Sequence, residues 1–164
     1  MTSTQRLAYL ESLTLDHKVS EILDPRFNEL TVEMASRLQW IPVDYDPYPT
    51  LADMRADYDK TGRIKVSTLY SDNSIYGDPF INWCGRAWHD YCHLQTNSPF
   101  DALGEKRAAA YQMIEVYNHV SDSKLARWFC RIIDAEVNGQ VKYFLQHGAF
   151  PVNGYEFTKG YFNV

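Results

Sequence analysis

Signals for the start of a helix recur along this chain and constrain its fold more than any other feature. At several places a polar residue that can cap a helix stands directly before a proline, among them Asp24-Pro25, Asp78-Pro79 and Ser98-Pro99. Such a side chain can accept hydrogen bonds from the first turn, and proline suits the first helical position because that N–H has no partner there. Apolar residues follow at helical spacing. These signals predict helices that begin at residues 25, 79 and 99, and Asp101 is placed to reach back to Ser98 in the third.

Two further segments carry signals for both ends of a helix. Residues 50–53 form a capping-box pattern, and the helix that they open should end near Gly62. Ser121 or Asp122 is expected to open the last long helix, which Gly148 can close. A weakly amphipathic segment also occurs near the start of the chain, around Leu7. Most of the chain is therefore predicted to be helical.

Evidence for β structure is confined to one place. Ile64, Val66 and Thr68 alternate with polar residues, and turn-forming residues follow at 71–74, so we expect at most one small β-hairpin within residues 64–76. Residues 41–49 hold three prolines and are predicted to be an extended loop, and residues 151–164 a tail along the surface. The chain is thus expected to be one mainly α domain over residues 1–164, an irregular helical bundle of four or more helices.

Composition narrows the class of protein. The 164 residues carry 21 acidic against 16 basic side chains, a net charge of −5, without a long basic run, so nucleic acid is not expected as a partner. No apolar stretch reaches the length of about 18 residues that a membrane span needs. The three cysteines lack Cys-x-x-Cys spacing, which is typical of reduced thiols in a cytoplasmic protein. These patterns leave the oligomeric state open.

Two histidines are placed to share a face of the helix predicted over residues 80–95. His89 and His93 are four residues apart, so their imidazoles lie one turn above each other and can bind one metal ion. Asp90 lies between them and could be a further ligand, or could orient a ligating histidine. The alternative is a pair of histidines on a half-buried face, each satisfied by ordinary hydrogen bonds.

A glutamate on the next helix extends this pattern. The two helices are separated by a short turn at residues 97–98, so they should form an antiparallel hairpin. His93 and Glu105 then lie roughly 6 and 10 Å from the turn, a difference that a long carboxylate side chain can bridge. Gly104 permits close approach of the backbone. His89, Asp90, His93 and Glu105 are therefore the predicted ligands of zinc or another divalent metal.

A second carboxylate stands on the core-facing side of the last long helix. Glu136 continues a stripe of apolar residues, where an isolated carboxylate is costly. It could face the metal as a ligand, as a group that orients a ligand, or as a general base, and the catalytic role is the one we predict. The alternative is an ion pair with an arginine such as Arg86 or Arg107.

The motif His-Asp-x-x-His, then eleven residues, then Glu, at 89–105, resembles the signature of the zinc protein of the ubiquinone-biosynthesis complex. The resemblance implies a mainly helical fold and ligand roles for His89, Asp90, His93 and Glu105. Members of that family act in modifying the ring of the quinone precursor. The resemblance covers 17 residues of this chain.

A second resemblance covers roughly the last two thirds of the chain. Residues 86–93, Phe100-Asp101 with Gly104-Glu105, and the stretch from Asp134 to Gly148 look like small uncharacterised proteins of tailed phages and prophages. This resemblance implies a phage accessory origin, and therefore the host cytoplasm as location, and it implies no activity.

Two functions follow from these patterns. The first is a metal-dependent enzyme, of hydrolase or lyase type, that acts on a small molecule. The second is a phage accessory protein that binds or inhibits a host protein, with a metal that only ties two helices together. An open coordination position favours the enzyme, and a closed site beside an exposed aromatic patch favours the accessory protein.

Overall fold

The computed structural model describes residues 21–163, and the segment around Leu7 lies outside this range. The fold is mainly α, as the sequence predicts. The elements in chain order are α1 (Pro25–Ser36), β1 (Trp40–Val43), α2 (Leu51–Thr61), β2 (Ile64–Ser67), α3 (Pro79–Thr96), α4 (Ala102–His119), α5 (Ser123–Asp134), a π-helical turn (Ala135–Gly139), α6 (Gln140–His147) and α7 (Gly154–Phe162). No helix within the described range is both long enough and apolar enough to cross a membrane.

Most of the predicted helix boundaries are confirmed. The side chains of Asp24, Thr50 and Asp78 cap α1, α2 and α3, and the capping box between Thr50 and Asp53 is complete. Asp122, rather than Ser121, caps α5. Helices α2 and α6 end at Gly62 and Gly148, which both adopt the left-handed conformation that glycine tolerates.

The predicted start of α4 at Ser98 and Pro99 is wrong. Asp101 is the cap, and its carboxylate accepts a hydrogen bond from the N–H of Gly104 at 2.8 Å. Ser98 belongs instead to the end of α3, because its N–H donates to the carbonyl of His93 at 3.1 Å. The Ser98 hydroxyl is hydrogen-bonded to the Thr96 hydroxyl at 2.7 Å, so it is engaged away from the first turn of α4.

The predicted β-hairpin is also wrong. Strand β2 forms where the alternation indicated, but it pairs in parallel with β1, a segment predicted to be a loop. Trp40 lies opposite Ile64, and α2 makes the crossover that two parallel strands require. The pairing buries the side chains of Trp40, Ile64 and Val66. Pro42 has no N–H to donate to the partner strand, but both strands of a two-stranded sheet are edge strands, where proline is tolerated.

Helix α3 passes between two apolar clusters and contributes to both. Trp88 and Cys92 pack into the cluster shared with α1, α4 and α5. Phe80, Cys84 and Leu94 pack into the cluster that covers the small sheet. Because α3 is held on both sides, the histidines on it have a fixed backbone position relative to α4.

The tail forms α7, which packs against the π-helical turn. A side chain at Gly139 would bring its Cβ within 3.2 Å of the Tyr161 ring, so α7 uses the space that glycine leaves. The Tyr161 hydroxyl donates to Asp134 at 3.0 Å, and the ring of Phe162 lies against Trp128 with centroids 4.9 Å apart. The last residues that the structure describes are therefore part of the packed fold.

A candidate metal centre

Three of the four predicted metal ligands come together between α3 and α4. His89 and His93 lie one turn apart on α3, and Glu105 lies in the first turn of α4. One ligand atom from each residue can be chosen so that all three lie within 4.8 Å of one another. Glu105 Oε2 is 2.7 Å from His89 Nε2 and 3.3 Å from His93 Nε2, and the two Nε2 atoms are 3.2 Å apart.

The other nitrogen of each imidazole, Nδ1, is hydrogen-bonded to an oxygen atom. Nδ1 of His93 donates to the carbonyl of Ser98 at 2.8 Å, and Nδ1 of His89 lies 3.1 Å from the side-chain oxygen of Gln112. A carbonyl oxygen only accepts hydrogen bonds, so both Nδ1 atoms carry hydrogen. Nε2 of each ring faces the Glu105 carboxylate, and it would offer its lone pair to a metal ion on losing its hydrogen.

The distances between the three ligand atoms suit a single small ion. Bonds of 2.0–2.1 Å in a tetrahedral arrangement place two ligand atoms about 3.3 Å apart. The observed separations of 2.7, 3.2 and 3.3 Å are close to that value. A shift of a few tenths of an ångström at His89 or Glu105 would complete the arrangement.

The site is closed on one side and reaches solvent on the other. The His93 side chain is 1% exposed, and the ring of Phe100 meets it edge to face with centroids 5.0 Å apart. The side chains of His89 and Glu105 are 18% and 23% exposed. Solvent therefore reaches the group of three from the side of His89 and Glu105.

The electrostatics favour a bound cation. Burial alone would raise the pKa of Glu105, but its hydrogen bonds with His89 and His93 lower that pKa to about 2. Burial disfavours the charged form of His89, yet the Glu105 carboxylate outweighs this effect and raises the pKa of His89. Glu105 is thus an ionised carboxylate at neutral pH, as a metal ligand must be.

Asp90 lies outside the group of three. Burial raises the pKa of its carboxyl to about 6, against the influence of the nearby His89 and His93. It is not the partner of either Nδ1 atom, because Gln112 and the Ser98 carbonyl occupy those positions. A role for Asp90 as an additional ligand stays a prediction.

Glu136 also lies outside the group of three. It is in the π-helical turn, where its carboxylate accepts a short hydrogen bond from the Thr158 hydroxyl. The alternative of an ion pair with arginine is not observed within residues 21–163, since Arg86 donates to three backbone carbonyls between residues 67 and 70. Burial raises the pKa of Glu136 to about 7. Its catalytic role stays a prediction.

Sequence reasoning missed the groups that hold the two imidazoles. Gln112 stands two turns after Glu105 on the same face of α4, so helix geometry alone places its side chain on the side of Glu105. The sequence does not indicate that this side chain contacts His89. The Ser98 carbonyl has no signature in the sequence because it is a backbone group. Gly104 contributes by its missing side chain, since an added Cβ would lie 1.8 Å from the carbonyl oxygen of Pro99.

The comparisons with known proteins found no relative of this chain. No family model, no curated protein and no solved structure matches the chain. The chemistry of the site therefore has to be inferred from its own residues.

Proposed function

We propose that this chain is a zinc-dependent enzyme, of hydrolase or lyase type, that acts on a small molecule. The observation that carries the proposal is the convergence of two imidazole Nε2 atoms and one ionised carboxylate, all within 3.3 Å of each other. Two histidines and one glutamate form one of the ligand sets of catalytic zinc, and such a set leaves a position for water or substrate.

The residues around the site have distinct parts in this proposal. His89, His93 and Glu105 would hold the ion, whose chemistry there is Lewis acidity toward a carbonyl or phosphoryl oxygen. Phe100 covers His93 and keeps water away from the buried side. The partly exposed edges of His89 and Glu105 are where a substrate would bind.

Glu136 is our proposed proton carrier. A carboxyl whose pKa is about 7 can accept and release a proton near neutral pH, as a general base must. The π-helical turn that holds it packs against α4, the helix that also carries Glu105 and Gln112. π-helical turns inside helices often occur at functional sites. Glu136→Gln should keep the fold and the metal but lose turnover.

A phage accessory protein with a structural metal is the second candidate, and one surface favours it. Large apolar side chains are exposed on α6 and just beyond it, and we call Phe144, Leu145, Phe150 and Val152 the C-terminal patch. The rings of Phe144 and Phe150 stack with centroids 4.8 Å apart, and Leu145 and Val152 are 69% and 97% exposed. Exposed apolar patches are typical of surfaces that bind another protein, here one from the host.

Metal analysis of the purified chain tests the proposal. Wild-type protein from zinc-supplemented cells should contain about one zinc ion per chain, and His93→Ala should contain almost none. His147→Ala is the matched control, because His147 is exposed on α6, where its Nδ1 donates to the Tyr143 carbonyl and its ring stacks on that of Tyr143. Equal zinc content in the wild type, His93→Ala and His147→Ala would show that the proposed metal site is wrong.

A second assay separates the two candidates. The zinc-loaded wild type and Glu136→Gln would be compared on chromogenic esters, amides and phosphates, with free zinc as the blank. Turnover that depends on both zinc and Glu136 supports the enzyme. If a folded, metal-free His93→Ala protein keeps the full biological effect while Leu145→Ser in the C-terminal patch loses it, the accessory function is correct instead.

A further inference from the structure

We infer that Asp90 binds a positively charged group of the substrate, so that the site acts on small molecules that carry a protonated amine or a guanidinium. The inference rests on the proposed function and names its substrate class. Asp90 follows His89 on α3, and its carboxylate lies near His89, His93 and Glu105 without belonging to the group of three. A group bound to Asp90 would therefore lie close to the metal position.

Asp90 differs from the other carboxylates that are shielded from solvent. Among the residues that the structure describes, every other buried or partly buried carboxylate accepts at least one hydrogen bond. Asp57, for example, accepts one from the Tyr48 hydroxyl, and Glu115 accepts one from the Trp88 indole. Asp90 is partly buried, yet it forms no hydrogen bond or ion pair with any described residue. Because an unpaired charge is costly to bury, a ligand explains this carboxylate better than packing does.

The polar side chains around Asp90 are occupied elsewhere. Arg86 stands one turn before Asp90 on α3, but its guanidinium donates to three backbone carbonyls between residues 67 and 70. Tyr48 is also close to Asp90, and its hydroxyl donates to Asp57 at 2.6 Å. The negative charge of Asp90 is therefore not neutralised by a contact within the described part of the chain.

The carboxylate oxygens of Asp90 are open to solvent. Of the described side chains that are not exposed, the one enclosed oxygen without a hydrogen-bond partner belongs to Asn138, so neither oxygen of Asp90 is enclosed. By contrast, the Glu105 carboxylate is already held by both imidazoles, at 2.7 and 3.3 Å from their Nε2 atoms. Asp90 is thus the carboxylate near the metal position that is free to bind a ligand from solution.

The chemistry of a carboxylate specifies the group that it would bind. An ionised carboxylate only accepts hydrogen bonds, and a positively charged donor forms the stronger contact with it. A second carboxylate or a phosphate at the same place would be repelled. Asp90 would therefore hold the cationic end of a molecule whose carbonyl oxygen lies at the metal position. Esters and amides of amino compounds have this combination of groups.

The test measures the binding of three matched hydroxamates to the zinc-loaded full chain by calorimetry. A hydroxamate binds zinc, and the hydroxamates of butanoic acid, γ-aminobutyric acid and succinic acid carry a neutral, a cationic and an anionic end. The proteins are the wild type, Asp90→Asn, Asp90→Glu and the control Asp59→Asn, which removes the same charge from an exposed position on α2.

The wild type should bind the cationic probe about 10–100-fold more tightly than the neutral probe, as expected for a hydrogen bond between charged groups. It should bind the anionic probe most weakly. Asp59→Asn and Asp90→Glu should keep this order because both retain a carboxylate at position 90. Asp90→Asn should bind the cationic and neutral probes alike.

Three results would overturn the inference: equal affinity of the wild type for the cationic and neutral probes, a preference that survives in Asp90→Asn, or loss of zinc from a folded Asp90→Asn protein, which would make Asp90 a ligand. The first can be obtained even if Asp90→Asn does not fold. A wild-type chain that binds no zinc or no hydroxamate would remove the proposed function together with the inference. Zinc and hydroxamate binding without a charge preference would remove the inference alone, so the two failures are distinguishable.

Discussion

Gly104→Ala tests how the turn between α3 and α4 supports the site. An alanine Cβ at this position would lie 1.8 Å from the Pro99 carbonyl oxygen and 2.8 Å from its carbonyl carbon. Contacts of less than 3.0 Å essentially never occur for a Cβ atom, so the backbone at Pro99 must move by about 1 Å or more. Ser98, whose carbonyl holds His93, is the adjoining residue and would move with it.

The magnitude follows from two opposing effects. Overpacking costs about 1–3 kcal/mol, and an overlap of this size belongs to the upper part of that range, about 2–3 kcal/mol, because backbone rather than a flexible side chain has to yield. Alanine returns about 1 kcal/mol through its higher helix propensity. The net loss of unfolding free energy is therefore roughly 1–2 kcal/mol. At about 2–4 °C per kcal/mol for a chain of this length, Tm should fall by roughly 2–8 °C.

Two measurements check this prediction against a matched control. Calorimetry gives Tm, and a chelator competition gives zinc affinity, which should fall by about 10–100-fold as His93 loses its partner. Gly160→Ala on α7 is the control, since an added Cβ there meets nothing within 4 Å. That variant should be stabilised by up to about 1 kcal/mol. A Gly104→Ala protein with unchanged Tm and zinc affinity would refute the reasoning.

Three further outcomes are expected. Because burial raises the pKa of Glu136 from 4.5 to about 7, the folded state holds this proton more tightly, and stability from this group falls as pH rises from about 4.5 to 7, by on the order of 3 kcal/mol. In urea unfolding, the free energy of unfolding of Glu136→Gln should not show this decrease with pH. Parallel pH curves for the wild type and Glu136→Gln would contradict the prediction. Arg86→Met removes three hydrogen bonds to backbone carbonyls and should lower Tm, whereas an unchanged Tm would show that those bonds contribute nothing. Asp90→Asn should keep one metal ion per chain in metal analysis, since Asp90 lies outside the group of three, and a metal-free variant would make Asp90 a ligand.

The correct predictions concern features that depend on residues close together in the sequence. The caps at Asp24, Thr50 and Asp78 form within a few residues of sequence, and so does the placement of His89 and His93 on one helical face. The short turn after α3 then limits where Glu105 can be. Three ligands could therefore be brought together from spacing alone, without knowledge of the rest of the fold.

The errors concern interactions that compete over longer distances. The parallel pairing of β1 with β2 depends on the burial of Trp40 against residues more than twenty positions away, which no local pattern reports. Ser98 has the composition of a helix cap, but its hydroxyl is engaged by Thr96 at the end of α3. The buried amide of Gln112 acquires its role only from the imidazole opposite.

Anomalous diffraction at the zinc edge, from crystals of the full chain grown with zinc, tests the central claim most directly. The arrangement of His89, His93 and Glu105 predicts one strong peak between α3 and α4, about 2.0–2.2 Å from both Nε2 atoms and from a Glu105 oxygen. It also predicts a remaining coordination position that no protein atom fills. The account would be contradicted by the absence of a peak at this place, or by a peak bound through Nδ1.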